Sequence, residues 1–237
     1  SDDSGDGLSW ATAYRHLQTA IGQSSSGDAI WVRQGVYYPD EGQGVVLDSR
    51  QETFLLKEGV SIYGGFTGGE SAVTERDRDS VTAITVLSGD IDENDVNLDG
   101  NFISETVDAI VGSNSSHVTT GSNGALLDGV TITGGSTTTA GGGLYNFASS
   151  PTLRFCNFTG NFARIQGGGV LNLSGSHSTF ENCVFEGNRA GEEGGAVHNV
   201  LASEPSFQWC VFSHNESGEG AAVYQGDYCD SEFGACH

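Results

Sequence analysis

The chain repeats itself with a period of 26 to 27 residues, and this feature constrains its fold more than any other. Glycine-rich segments start at residues 141, 167, 194 and 220 with the sequences GGGLYN, GGGVLN, GGAVHN and GAAVYQ. Each of the first three is followed by a segment with the pattern Cys-x-Phe: CNFTGN, CVFEGN and CVFSHN. This period is too short for a propeller blade, and glycine with β-branched residues disfavours a helical repeat. The pattern therefore predicts a solenoid in which each period forms one coil of short parallel strands.

Stacked coils place residues one period apart on neighbouring strands, about 4.8 Å from each other. The prediction is two inward stacks, Phe158 with Phe185 and Phe212, and Leu153 with Phe180 and Phe207. Two columns of asparagines should occupy bends, where amide side chains can hydrogen-bond along the ladder. They are Asn161, Asn188 and Asn215, and Asn146, Asn172 and Asn199. The glycine pairs should form the remaining sharp corner.

Composition supports an all-β chain with tight turns, because 36 of the 237 residues are glycine and only 3 are proline. The net charge of -22 repels nucleic acid and anionic membranes and attracts divalent cations. We therefore expect no nucleic-acid partner. No run of 18 apolar residues occurs, and the first residues, SDDSGDG, differ from a signal peptide. We thus expect no membrane insertion of this segment.

One amphipathic helix is predicted over residues 9–22, with Ser9 as its N-cap. Trp10, Tyr14, Leu17 and Ile21 share one face, which should cover the open apolar end of the solenoid. We predict a single domain, 1–237, of about eight coils. Irregular coils should span 28–125, regular coils 126–225 and a tail 226–237.

The repeat GGG-Φ-x-N followed by C-x-F-x-x-N resembles the GGA(I/V/L) and FxxN repeats of bacterial right-handed parallel β-helix proteins, including polymorphic outer-membrane proteins and adhesins. SWATAYRHLQTAI, VSIYGGFTGGE and LLDGVTITGG are similar to segments of large secreted surface proteins that contain this module. The resemblance implies a right-handed parallel β-helix at the cell surface or outside the cell. Proteins of this superfamily include adhesins, passive stalks, and polysaccharide lyases and hydrolases.

The stretch from Asp90 to Asp108 interrupts the repeat and holds seven carboxylates and no basic residue in 19 positions. Its alternating oxygen-bearing side chains are typical of a loop that binds a hard cation such as Ca²⁺. A regular EF-hand loop starting at Asp95 would need glutamate at Thr106, and it has Glu105 one position earlier. A solvated acidic loop is the alternative. The candidate ligands are Asp90, Asp92, Asn94, Asp95, Asn97, Asp99, Asn101 and Glu105.

The cysteines fall into two groups. Cys156, Cys183 and Cys210 repeat with the coil, and because Val130 takes the cognate position upstream, we interpret them as small buried residues that fill the core. Cys229 and Cys236 lie seven residues apart in the tail, outside the repeat. A disulfide between them would staple the last turn in an oxidising compartment.

Two outward columns are candidates for a ligand or catalytic face. Arg154, Glu181 and Gln208 share one, and Tyr145, Leu171, His198 and Tyr224 share the other. Neither makes a convincing acid and base pair. Tyr145, His198 and Tyr224 could form a sugar-stacking face or an ordinary surface, and Arg76 and Arg78 could pair with Asp77 and Asp79.

The sequence thus favours a noncatalytic, calcium-stabilised surface module that binds cell-surface or matrix polysaccharide or other copies of itself. A polysaccharide lyase or glycoside hydrolase is the alternative.

Overall fold

A computed structural model describes residues 2–76 and 84–237. The chain forms a parallel β-solenoid, in which every pairing between named strands is parallel. The two irregular coils come first. They contain β1 (Ala29–Arg33), β2 (Gly35–Tyr37), β3 (Phe54–Leu55), β4 (Ser61–Phe66), β5 (Thr85–Ser88) and β6 (Thr119–Thr120).

Four regular coils follow, and all but the last contain four strands. The first two hold β7 (Leu126–Asp128), β8 (Thr131–Thr133), β9 (Ser136–Thr137), β10 (Leu144–Phe147), β11 (Thr152–Arg154), β12 (Asn157–Thr159), β13 (Phe162–Ala163) and β14 (Val170–Leu173). The last two hold β15 (Thr179–Glu181), β16 (Val184–Glu186), β17 (Arg189–Ala190), β18 (Val197–Val200), β19 (Ser206–Gln208), β20 (Val211–Ser213) and β21 (Val223–Gln225). A final strand, β22 (Glu232–Gly234), starts a further coil.

Equivalent strands of successive coils stack into sheets. Among the described residues, the first sheet has the order β1-β4-β7-β11-β15-β19-β22, the second β2-β5-β8-β12-β16-β20 and the third β21-β18-β14-β10-β6-β3, with β9, β13 and β17 in a short fourth sheet. The described chain therefore makes six coils and one extra strand, fewer than the eight predicted. The long segment between β5 and β6, which contains the acidic stretch, accounts for about one coil's length.

The predicted core stacks are confirmed and extend further. Phe185 lies between Phe158 and Phe212, with ring centroids 5.0 and 4.8 Å apart and planes within 5° of parallel. In the other stack, Phe207 lies 5.0 Å from Phe180, and Phe233 continues the column beyond it at the same spacing. Rings of the two stacks meet edge to face, an arrangement that favours aromatic packing.

Both asparagine ladders are confirmed, although one lies in a different place. Asn161 donates through Nδ2 to Asn188 Oδ1 at 3.0 Å, and Asn188 donates to Asn215 in the same way, at the bend after the second sheet. The ladder of Asn146, Asn172 and Asn199 was predicted at a bend and instead lies inside strands of the third sheet, fully buried. The hydrogen bonds between its side-chain amides, from Nδ2 to Oδ1, are 2.9 and 2.8 Å long. These side chains bond to one another and to Ser178 and Ser231, although Asn146 Oδ1 has no partner within the described residues.

The predicted glycine corner is also confirmed. Gly141, Gly167, Gly194 and Gly220 all have positive φ, between 61 and 75°. An added Cβ at the neighbouring Gly168 would lie 2.5 Å from the carbonyl oxygens of Arg189 and Gly195. Only glycine therefore fits both positions where another coil stacks on the corner, whereas the last corner has Ala221 at the second position.

The N-terminal helix is shorter than predicted. A 3₁₀ turn spans Trp10–Thr12, and the α-helix α1 covers only Leu17–Gln23. Ser9 makes no cap to the backbone of that turn. The carboxylate of Asp3 instead accepts hydrogen bonds from the backbone N–H groups of Arg15 and His16, which holds the chain extended before α1. Leu17 and Ile21 still pack into the core, so α1 covers part of the open end as expected. No described helix is long and apolar enough to cross a membrane.

Candidate functional site

The acidic stretch forms an insertion between β5 and β6 that is organised by its own carboxylates. Asp90 is 9% exposed and accepts hydrogen bonds from the backbone N–H groups of Asn94 and Asp95, both at 3.0 Å. The isolated antiparallel bridge between Asp90 and Asn114 closes the base of the insertion. The carboxylate of Asp92 accepts from the N–H of Ser113 at 2.9 Å. These bonds fold the insertion back onto the coil.

Asp95 is the second centre of this network. Its Oδ1 accepts from Val111 N–H at 2.8 Å, and its Oδ2 accepts from Ser104 Oγ and Asn114 Nδ2 at 2.8 and 3.0 Å. Asn114 is 1% exposed, and its Oδ1 has no hydrogen-bond partner within the described residues. A buried acceptor without a donor is costly, and a cation or water could satisfy it.

A separate network contains Asn97, Asp99, Asn101 and Glu105, whereas Asn94 donates its backbone N–H to Asp90. Asn101 Nδ2 donates to Asp99 Oδ2 at 2.9 Å and to Glu105 Oε1 at 3.0 Å, and Asn97 Oδ1 accepts from Gly100 N–H at 2.7 Å. The eight predicted ligands therefore do not meet at one point. Across residues 2–76 and 84–237, no group of three or more His, Cys, Asp and Glu side chains has an arrangement suited to a metal ion.

A cavity of about 220 Å³ lies between the insertion and the coil body. Three of the predicted ligands line it, Asp90, Asp95 and Asn97, together with Glu93 and Tyr38. Burial, together with the nearby carboxylates of Asp95 and Asp92, raises the pKa of Asp90 to about 6. Burial likewise raises the pKa of Asp95. Such crowding of like charges favours either protonation or a bound cation.

The column Tyr145, Leu171, His198 and Tyr224 is in register as predicted, but it is not an open face. Leu171 and His198 are 3% and 1% exposed, because the glycine-rich corners fold close over them. Within the described chain, His198 packs edge to face on Tyr224, and its Nε2 lies 3.7 Å from Glu193. Burial lowers the pKa of His198, so the ring is neutral at pH 7.

The column Arg154, Glu181 and Gln208 is also in register. Arg154 Nε lies 2.8 Å from Glu181 Oε2, so these two side chains form an ion pair between adjacent coils. One coil earlier, Asp128 pairs with Arg76, whose Nη2 is 2.7 Å from Asp128 Oδ1. The predicted partners Asp77 and Asp79, and Arg78, lie outside the described residues. The partner of Arg76 that the structure describes is thus Asp128.

The predicted disulfide between Cys229 and Cys236 is not formed in the structure, since both are free thiols. Cys236 also does not lie outside the repeat. Its Sγ is 3.5 Å from the Phe207 carbonyl oxygen, as Cys210 Sγ is 3.5 Å from that of Phe180. Cys236 therefore extends the cysteine column by one coil. The sequence contained this signal, because Phe233 precedes Cys236 by the same three residues that separate Phe207 from Cys210.

The other three cysteines fill the core as predicted. Cys156, Cys183 and Cys210 are fully buried, and each thiol donates to a carbonyl of the preceding coil at 3.4 to 3.5 Å. Burial raises the pKa of the Cys183 thiol well above its ordinary value. The Cys183 thiol is therefore protonated in the folded protein, and burial keeps reagents away from all three thiols.

A protein-family model matches part of the chain. The model of the Chlamydia polymorphic membrane protein repeat matches residues 182–200. This segment contains one full set of ladder positions, including Cys183, Phe185, Asn188 and Asn199. The protein is a β-helix repeat protein similar to the polymorphic membrane proteins. Comparison with curated proteins gave no significant match, and neither did comparison with solved structures.

Proposed function

We propose that this polymorphic-membrane-protein-like protein is a noncatalytic structural module of the bacterial cell surface. The observation that carries the proposal is the matched repeat itself, which lies in a continuous stack of in-register coils. Its inward columns form aromatic, thiol and amide ladders, and its outward candidates Arg154 and Glu181 pair with each other. A rigid rod of this kind suits display and attachment. Surface or matrix polysaccharide, or further copies of the protein, would be its partners.

The proposal includes a structural calcium ion at the insertion. The support is the cavity that Asp90, Asp95 and Asn97 line, together with the raised pKa of Asp90. Carboxylate and amide oxygens are the donors that calcium prefers. The ion would neutralise the crowded carboxylates and fasten the insertion to the coil. Asp92, Asn94, Asp99, Asn101 and Glu105 lie outside this cavity and are not assigned to it.

Thermal unfolding with and without a chelator tests the calcium assignment. We expect millimolar Ca²⁺ to raise Tm by about 3 to 6 °C over the chelated protein, because a ligand that binds only the folded state stabilises it. Asp95→Asn should abolish this increase. Asp99→Asn is the matched control, since Asp99 lies in the separate network, and should retain it. An equal Tm with calcium and chelator would remove calcium from the proposal.

Turnover assays on acidic and neutral polysaccharides test the structural role. We expect no release of reducing ends or unsaturated products. Activity that is lost on changing Glu181, Arg154 or His198 would overturn the noncatalytic assignment and support the lyase or hydrolase alternative.

Surface proteolysis and antibody labelling of intact expressing cells test the location, and protection from both would contradict it.

A further inference from the structure

The coil body contributes an unpartnered buried hydroxyl to the cavity beneath the insertion. Tyr38 follows β2, and Ser88 ends β5, the strand that pairs with β2, so the two residues lie side by side and both line the cavity. Tyr38 is 9% exposed, and its hydroxyl forms no hydrogen bond with any described residue. Burial, together with the nearby carboxylates of Glu93 and Asp90, raises the pKa of this hydroxyl. A buried polar group that is left unpaired beside a cavity is one that a ligand can satisfy.

The charged groups around the cavity are all carboxylates. Asp90, Glu93 and Asp95 line it, and none of its described lining residues is basic. In residues 2–76 and 84–237, no Lys, Arg or His nitrogen lies within 4.0 Å of these three carboxylates. Asp90 and Asp95 accept hydrogen bonds from neutral donors, whereas the Glu93 carboxylate accepts none from the described chain. Charge complementarity therefore selects a cationic ligand that donates hydrogen bonds.

The same cavity also has an apolar side. Phe102 and Ile103 line it together with Tyr38 and the carboxylates. Phe102 is 56% exposed, so its ring is accessible from solvent. Aromatic rings attract organic cations, and apolar surface packs against the methylene groups of an alkyl chain. The volume of about 220 Å³ gives room for about seven water molecules at about 30 Å³ each, which suits a short organic chain.

We propose that this cavity binds a primary alkylammonium group, carried by a lysine side chain or by a free diamine. An ammonium group has three N–H donors and no acceptor, which suits the three carboxylates and the Tyr38 hydroxyl. The methylene groups behind it pack on Phe102 and Ile103. The inference does not rest on the proposed calcium ion. Calcium would use the same carboxylates, so the two cations would exclude each other.

An NMR titration of the whole chain tests the inference. A chelator is present throughout, so the outcome is separate from that of the calcium test. The backbone N–H signals of Asn94, Asp95 and Val111 are the reporters, because these groups donate to cavity carboxylates. Nα-acetyl-lysine methylamide and cadaverine should each give saturable shifts with a Kd on the order of 1 mM. The norleucine and Nε-acetyl-lysine analogues, which lack the positive charge, should bind at least about tenfold more weakly.

Three variants separate the contributions to binding. Glu93→Gln removes one cavity charge without breaking a described hydrogen bond and should weaken binding about two- to fivefold. Tyr38→Phe removes only the unpartnered hydroxyl and should weaken it about two- to tenfold. Phe102→Leu keeps an apolar side chain but removes the ring, and should weaken it about two- to fivefold. Glu192→Gln, at an exposed glutamate of the regular coils, changes the net charge equally and is the matched control.

Three results would overturn the inference. Equal binding of the norleucine analogue would show that the cavity does not recognise an ammonium group. Equal losses in Glu93→Gln and Glu192→Gln would show that the net charge of -22 attracts amines without a specific site. The absence of saturable shifts with either amine, at concentrations well above the expected Kd, would leave the cavity without the proposed ligand.

The two amines also distinguish the sources of the ammonium group. Binding of the lysine analogue supports a lysine side chain of another protein as the ligand. Binding of cadaverine alone supports a free diamine.

Discussion

The regular coils and the acidic insertion use polar and aromatic residues in opposite ways. In the coils, the partner of a side chain is its own equivalent one period away, as with Asn161, Asn188 and Asn215. In the insertion, the partners of Asp90 and Asp95 are mostly local N–H groups of the same loop. The coils are thus held by contacts that repeat, and one substitution there disturbs two neighbours. The insertion is held by contacts that do not repeat, and a substitution should act locally.

The largest difference in stability between the two regions should come from removing one phenylalanine ring in each. Phe185→Ala removes a fully buried ring from between Phe158 and Phe212 and should lower the free energy of unfolding by about 3 to 5 kcal/mol. Phe102→Ala, at a ring of the insertion that is 56% exposed, should change it by less than about 1 kcal/mol. Chemical denaturation measures both. Similar losses would show that the insertion is as tightly integrated as the coils.

An asparagine from each region gives the next contrast. Asn188 Oδ1 accepts from both the N–H and Nδ2 of Asn161, and Asn188 Nδ2 donates to the Phe158 carbonyl. Asn188→Ala leaves these buried groups unpaired and should cost about 2 to 4 kcal/mol. Asn101→Ala breaks bonds to Asp99 and Glu105 near solvent and should cost about 0.5 to 1 kcal/mol. A cost at Asn188 below that at Asn101 would contradict the ladder interpretation.

The cysteine column predicts a smaller effect with a clear chemical signature. Cys183→Val should cost less than about 1.5 kcal/mol, because Val130 already occupies the equivalent position in an earlier coil.

In the native protein, a thiol reagent should modify Cys229 first and Cys236 next. Cys156, Cys183 and Cys210 should react only on unfolding, since they are fully buried. Rapid modification of all five thiols would show that the coil interior opens readily.

The titration of Asp90 is the most local prediction. Its carboxyl should titrate at about pH 6 in an NMR experiment, as burial and neighbouring carboxylates dictate. Because the folded-state pKa lies above the unfolded value of about 3.9, the folded state binds more protons between these values. The contribution of Asp90 to stability therefore falls as the pH rises from about 4 to 6. Calcium should lower this pKa, and a titration near 4 in its absence would contradict the burial of the group.

The sequence predicted those parts of the molecule in which residues repeat. The Phe158 and Phe180 stacks, both asparagine ladders and the glycine corners follow from a period of 26 to 27, since equivalent residues of stacked coils must be neighbours. The placement of Asn146 inside a strand did not follow, because an amide column can be satisfied by its own members in a core as well as at a bend. The repeat was also predicted to end before Cys236. The spacing between Phe233 and Cys236 continues it, but the glycine-rich segment before them, GAAVYQ, departs from the usual form.

The helix and the candidate sites depended on tertiary contacts that no periodicity encodes. The helical pattern of residues 9–22 continued through residues 13–16, but Asp3 binds the N–H groups of Arg15 and His16 and keeps that segment extended. The eight acidic and amide residues of the insertion looked like one ligand set, and the fold separates them into two networks.

The sequence by itself determined the solenoid, its core columns and the interruption that carries the acidic residues. A stacked parallel coil converts a sequence period directly into contacts, so these features need no further information. Only the tertiary structure decided which carboxylates share a cavity and that His198 is buried under a corner. Each of these depends on how non-repeating segments fold back on the coil. The energies that fix such segments come from individual contacts between residues far apart in the chain.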